Sequence, residues 1–130
     1  MREIKFRGKR IDNNEWIKGQ LLFFKDSVGK KNMARIAGGC EWNNETDWYN
    51  LCDIHRVKEE TIGQYTGLHD KNGTEIYEGD VIEFKKYPSR KYQLVGFKDG
   101  AFMTGRSDVD CEFLNTYLWI LKNHITVVRK

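Results

Sequence analysis

The stretch Thr61-Ile62-Gly63-Gln64-Tyr65-Thr66-Gly67-Leu68-His69-Asp70-Lys71-Asn72-Gly73-Thr74-Glu75-Ile76-Tyr77-Glu78-Gly79-Asp80-Val81-Ile82-Glu83-Phe84 decides how the rest of the chain is read. Ile62, Gln64 and Thr66 alternate with Gly63 and Tyr65, the period of a strand, and Gly67 can break it. Asp70-Lys71-Asn72-Gly73 is a turn, because Asn and Gly accept positive φ and the Asp side chain can bond the backbone ahead of it. Ile76 and Tyr77 are expected to pin the connection onto a core. Glu78-Gly79-Asp80 is a second tight turn, and Val81-Ile82-Glu83-Phe84 is the strand it launches. Turn formers and large apolar anchors alternate, so the expected role is structural. It is assigned to Gly63, Gln64, Tyr65, Gly67, Gly73, Tyr77, Gly79 and Asp80.

Upstream, Ile4 and Phe6 alternate with Lys5, Arg7 and Lys9, giving a first strand with one apolar face and one row of cations. Asp12-Asn13-Asn14-Glu15 is a hairpin turn, and residues 16–24 are the return strand with Gly19 as a bulge. Residues 33–37 read as a short strand ended by Gly38-Gly39. From Cys40 to Asp53 the chain is expected to be irregular. There Glu41, Glu45 and Asp47 are interleaved with Trp42, Trp48 and Tyr49, and Asn43-Asn44 favours turning. Residues 51–57 read as a strand or a short helical turn.

Downstream, Lys85-Lys86-Tyr87-Pro88-Ser89-Arg90-Lys91 is a basic loop, since Pro cannot donate to a sheet ladder. Asp99-Gly100 joins strands 92–97 and 101–105 as a hairpin. Ser107 with Asp110 fits a capping box. Val109, Phe113, Tyr117, Ile120 and Leu121 recur at helical spacing, so a helix is predicted over 108–121. Residues 125–128 form a last, β-branched strand. These elements predict an all-β protein with one short helix, made of two lobes packed as one body. Residues 1–60 form an N-terminal β-meander, and residues 61–130 form an SH3-like small barrel.

Two blocks resemble the phage YopX-like family, small proteins encoded by bacteriophages and prophages of Gram-positive bacteria. One block is Ile62-Gly63-Gln64-Tyr65-Thr66-Gly67-Leu68 with Asp70-Lys71-Asn72-Gly73, continuing into Ile76-Tyr77-Glu78-Gly79-Asp80. The other is Ile4-Lys5-Phe6-Arg7-Gly8-Lys9 with Trp16. The family's usual ending, Ile-Gly-Asn followed by an acidic Asn-Pro segment, is not found here. The resemblance implies a phage origin, a β-rich fold and an SH3-like barrel in the C-terminal half. It carries no biochemical activity to transfer.

At 130 residues, with 4 Trp, 6 Tyr and 7 Phe, the chain can build a core without disulfides or metal. The opening Met1-Arg2-Glu3-Ile4-Lys5 has no apolar signal segment, and no run is long enough to span a membrane. The expected location is the bacterial cytoplasm. Cys40, Cys52 and Cys111 are odd in number and widely spaced, which suits reduced thiols. A net charge of +3 is too small to imply nucleic acid by its sum.

His55, His69 and His124 belong to no recognisable nucleophile or zinc motif, and no catalytic residue is assigned. A carboxylate pair among Glu75, Glu78, Asp80 and Glu83 competes with a turn-shaping role for these groups. Cys52-x-x-His55 has usable metal spacing, but Cys40 stands alone and a fourth ligand is missing, so no metal or cofactor is expected. Trp42, Trp48 and Tyr49 are candidates for binding a phage or host protein, or a second copy of the chain; alternatively, they lid the core. Lys85, Lys86, Tyr87, Arg90, Lys91 and Tyr92 are candidates for nucleic acid, against the plainer reading of a solvated basic face. The leading expectation is a non-enzymatic phage accessory protein that binds protein or self-assembles. The alternative is a nucleic-acid-binding small barrel.

Overall fold

The computed structural model describes residues 3–25, 32–84, 92–98, 100–105, 111–113 and 125–128. They form an all-β protein of antiparallel strands. In chain order these are β1 (Phe6–Lys9), β2 (Trp16–Lys25), β3 (Asn32–Asn43), β4 (Trp48–Arg56), β5 (Gly63–His69) and β6 (Glu75–Tyr77). Then come β7 (Val81–Phe84), β8 (Tyr92–Lys98), β9 (Ala101–Gly105), β10 (Cys111–Phe113) and β11 (Ile125–Val128). One sheet has the order β4-β3-β2-β1-β5-β6 and the other β10-β9-β8-β7-β11. A single 3-10 turn, Glu59–Thr61, is the helical segment among the described residues. None of those residues belongs to a helix long and apolar enough to cross a membrane. The chain divides between Gln64 and Tyr65 into two compact units.

In the first unit, β1 and β2 close a hairpin with Lys9 opposite Trp16. The Asn14 N–H donates to the Arg10 carbonyl at 3.0 Å, and Asn14 adopts φ 61°, a conformation Asn tolerates. β2 and β3 then pair from Gln20–Ala37 to Lys25–Asn32. Their approach near Gly19 requires glycine, since a Cβ there would stand 1.9 Å from the Ala37 carbonyl oxygen. Past the end of β4, Val57 bridges to Arg10, and the Lys58 N–H donates to the Lys9 carbonyl at 2.9 Å. Ile17, Ala34, Ile36 and Val57 form the core, with Phe6, Leu21 and Ile62 packed against it.

The expected row of cations on β1 is not a row in water. Arg7 is buried, with its guanidinium 4.4 Å from the Trp16 ring centre, and the Lys9 ammonium lies 5.3 Å from the same ring. The ring beneath the guanidinium and the aliphatic stem make burial tolerable for Arg7, while Lys9 is only partly buried.

In the second unit the core is Ile76, Ile82 and Val95, with Leu68, Phe102 and Val127 against it. The central stretch supplies its connections. Asp70 Oδ1 accepts from the Asn72 and Thr74 N–H groups at 2.8 and 2.9 Å. Its Oδ2 accepts from the Val127 N–H at 3.0 Å, tying β11 to this turn. Asp80 Oδ2 accepts from the Tyr77 N–H at 2.9 Å, and the Asp80 N–H returns to the Tyr77 carbonyl at 3.1 Å. Gly79 adopts φ 90° in this turn, a left-handed conformation open to glycine. Its N–H reaches the Val95 carbonyl at 2.8 Å.

Two expectations fail here. The helix predicted over 108–121 is contradicted at residues 111–113. These form β10, with Cys111 opposite Gly105 and Phe113 opposite Met103. A free edge on β9 offers ladder bonds that outweigh a weak helical preference. The remaining residues of that range lie outside the described residues. The segment from Cys40 to Asp53 is not irregular either. Gly38 and Gly39 do not end the third strand, and Asn43-Asn44 serves as the turn of one long hairpin.

Candidate functional site

Pairing between β2 and β3 stops at Ala37, but pairing between β3 and β4 continues to Asn43 opposite Trp48. Residues 38–43 and 48–53 therefore make a two-stranded ribbon beyond the part of the sheet that β2 supports. Its turn is built by side chain and backbone together. Asn43 Oδ1 accepts from the Glu45 and Thr46 N–H groups at 2.9 and 3.2 Å, and the Asp47 N–H donates to the Asn43 carbonyl at 3.0 Å. Asp47 takes φ 58°, which Asp tolerates better than most residues.

Residues directly opposite each other share a face, and successive residues alternate. Trp42 opposite Tyr49 and Cys40 opposite Leu51 are in step with the core residue Ile36. Trp48 opposite Asn43 and Glu41 opposite Asn50 take the other face. The Trp42 and Tyr49 rings meet edge to face with centres 4.9 Å apart, a favoured aromatic geometry. Even so, Trp42 is 47% exposed, Tyr49 70% and Trp48 72%. Rings this open do not lid a core. Leu51 and Ile54 are exposed as well.

The ribbon is also acidic. Residues 38–53 hold Glu41, Glu45, Asp47 and Asp53 and no Lys or Arg. Asp53 adopts φ 53° and lies over Gly38, where a Cβ would meet its Oδ2 at 2.8 Å. Its Oδ1 is 2.7 Å from His55 Nε2.

The structure thus brings Trp42 and Tyr49 together and puts Trp48 on the opposite face of the same ribbon. Tyr92 sits on β8 opposite Glu83 and is half exposed. Lys85, Lys86, Tyr87, Arg90 and Lys91, its proposed companions for nucleic acid, lie outside the described residues. Among the carboxylates, Glu75 accepts from the Tyr77 hydroxyl at 2.8 Å while Asp80 accepts from the Tyr77 backbone, so each has its own donor. Cys40 and Cys52 occupy alternating positions, facing Leu51 and Gly39, and so take opposite faces of the ribbon. Burial, then the nearby Glu41 and Asp53 carboxylates, push the Cys52 thiol above its ordinary value, which keeps it protonated. Among the described residues no group of three His, Cys, Asp or Glu is placed to hold a metal ion.

Of the central stretch, Gly63 and Gln64 pair with Arg7 and Phe6 on β1. Tyr65 and Tyr77 are buried neighbours with ring centres 5.4 Å apart. Gly67 and Gly73 have φ 85° and 79°. Sequence reasoning missed the Tyr65 hydroxyl against His69 Nε2 at 3.2 Å, and it missed Leu51 in the exposed strip. Alternation of Tyr49 and Leu51 with polar Asn50 carried the signal for the second.

The chain belongs to the YopX family. The family model described as YopX protein matches residues 5–128. Among solved structures, the crystal structure of protein EF1440 from Enterococcus faecalis is similar over 100% of this chain and 94% of that one. The identity is 22% and the TM-score 0.64, a likeness of fold. No curated protein matches the chain.

Proposed function

We propose that this is a non-enzymatic accessory protein of bacteriophage or prophage origin, acting in the bacterial cytoplasm by binding another protein through the ribbon end. The observation that carries the reading is the exposure of Trp42, Tyr49 and Trp48 on both faces of a two-stranded ribbon. An isolated pair of strands gains little stability by itself, and aromatic side chains are the residues that dominate protein interfaces. Covering them removes large apolar area from water. In the same reading the second unit is an SH3-like barrel; the order β10-β9-β8-β7-β11, which sets the last strand beside β7, supports it.

Photo-crosslinking tests the proposal. A photoreactive residue at Asn50, opposite Glu41 and on the same face as Trp48, is expected to capture a defined protein in lysogenic host cells. A Trp42→Ser/Trp48→Ser double variant with an unchanged circular dichroism spectrum is expected to lose it. Equal capture by the double variant, capture of oligonucleotide instead, or no capture by either would refute the reading.

A further inference from the structure

We infer that the ribbon's partner presents an arginine-bearing segment of another protein, an inference that rests on the protein-binding reading above. The first reason is the distribution of charge. The chain has 22 Lys and Arg against 19 Asp and Glu. The ribbon holds four of those acids and none of the cations, which leaves 22 against 15 in the remainder. The aromatic surface therefore carries the opposite sign to the rest of the molecule. Among the described residues no ion pair joins Glu41, Glu45 or Asp47 to a cation.

Geometry gives the second reason. Glu41 and Trp48 lie on one face, in neighbouring cross-strand pairs, a diagonal that long side chains span. A guanidinium can stack on the Trp48 ring while its N–H groups reach the Glu41 carboxylate, a pairing a Lys point charge reproduces poorly. This fold already sets guanidinium groups on rings elsewhere, with Arg7 over Trp16 at 4.4 Å and Arg35 over Phe24 at 5.4 Å. On the ribbon the rings and carboxylates are supplied and the cation is not.

A second copy seated ribbon to ribbon is the poorer occupant, because it sets carboxylates against carboxylates in a low-dielectric contact. A cationic partner instead gains steering towards the ribbon before contact and desolvated charge pairs after it.

The experiment uses the full chain and a fluorescein-labelled peptide alternating Arg and Val, with citrulline replacing Arg in the control peptide. Anisotropy is expected to show binding of the Arg peptide and at least about tenfold weaker binding of the citrulline peptide. Affinity is expected to fall about tenfold between about 0.05 M and about 0.5 M salt. A Glu41→Gln/Glu45→Gln/Asp47→Asn variant of normal thermal stability is expected to lose about tenfold, and so is Trp48→Ser. No binding of the Arg peptide, equal binding of the citrulline peptide, or binding insensitive to the ribbon variants would overturn the inference. So would self-association that the carboxylate variant abolishes in sedimentation, since it gives the ribbon to a second copy. The two failures separate cleanly. If crosslinking at the ribbon still depends on Trp42 and Trp48 while the peptide arms fail, the ribbon binds protein of another chemistry; if both fail, the protein-binding reading falls as well.

Discussion

The ribbon at residues 38–53 and the turns at residues 70–80 use nearly the same residues to opposite ends. Both contain acids, aromatic rings and Asn or Gly at their reversals. In the turns, Asp70 and Asp80 are buried, backbone N–H groups donate to both oxygens of Asp70 and to Oδ2 of Asp80, and Tyr77 is 0% exposed. In the ribbon the acids face water, and Trp48 is 72% exposed. Residue type does not separate the two cases; what separates them is whether anything covers the strands. A buried carboxylate must be satisfied by local donors, and it then holds the fold. An exposed carboxylate beside an exposed ring leaves both available to a partner.

The largest expected effect tests the covered side. Tyr77→Ala removes a fully buried ring together with its hydroxyl bond to Glu75. The expected cost is about 3–5 kcal/mol. Against a total stability of about 5–15 kcal/mol, this unfolds a marginal domain at moderate temperature. Urea denaturation measures it. A loss no larger than that of an exposed-site change would erase the contrast between turn and ribbon.

Asp70 gives an effect of intermediate size, with a sign in pH. Burial raises the pKa of its carboxyl, but donation from the Val127, Thr74 and Asn72 N–H groups outweighs that and leaves it below the ordinary value. A depressed folded pKa means the carboxylate contributes stability above its unfolded pKa of about 3.9, and that contribution is lost as pH falls through the lower folded value. Asp70→Asn puts an NH₂ where one of the accepting oxygens stood. It is expected to cost about 1–3 kcal/mol at neutral pH. Denaturation across the acid range should show this deficit shrinking below about pH 4 as the wild-type carboxyl protonates. A deficit independent of pH would mean the ionised carboxylate is not what fastens β11 to the turn.

How much of this was legible in the sequence follows the same division. The turns at 70–80 were readable because Asp70, Gly73, Gly79 and Asp80 act on their own neighbours in the chain, and the hairpin of β1 and β2 was readable for the same reason, although the expected outward row of cations on β1 was not found, since Arg7 is buried. The ribbon was misread as irregular because Asn43-Asn44 signals a turn without saying how far the flanking strands extend. That length is set by how far β3 and β4 go on pairing across the turn, from Asn43 opposite Trp48 back to Arg35 opposite Arg56, which neither segment shows by itself. The helix predicted over 108–121 failed at residues 111–113 on similar grounds. Its helical spacing is read within one segment, whereas the pairing that claims Cys111–Phe113 depends on a second strand, β9. Which face of the ribbon is in step with the core, and that β2 stops pairing with β3 at Ala37, could be learned only from the register of the sheet.

The smallest effect on stability belongs to Trp48→Ser, and it probes the comparison most sharply. Little of the Trp48 ring is removed from water at 72% exposure, so little transfer free energy is lost with it. Its cross-strand neighbour is Asn43, and the edge contact on the ribbon joins Trp42 to Tyr49 instead. What remains is the weaker strand preference of Ser, worth a fraction of the roughly 1 kcal/mol that the whole scale spans. The expected change is within about 0.5 kcal/mol. Trp42→Ser should cost more, because it also breaks the aromatic pair, worth about 0.5–1.5 kcal/mol. Capture of a partner should not follow this order, since Trp48 is the more open ring and sits beside Glu41. A Trp48→Ser variant that melts with the wild type and no longer crosslinks would make this ring a contact residue and nothing else. One that loses about 2 kcal/mol or more would show that Trp48 is covered within the folded chain, and the ribbon would then belong with the turns as part of the scaffold.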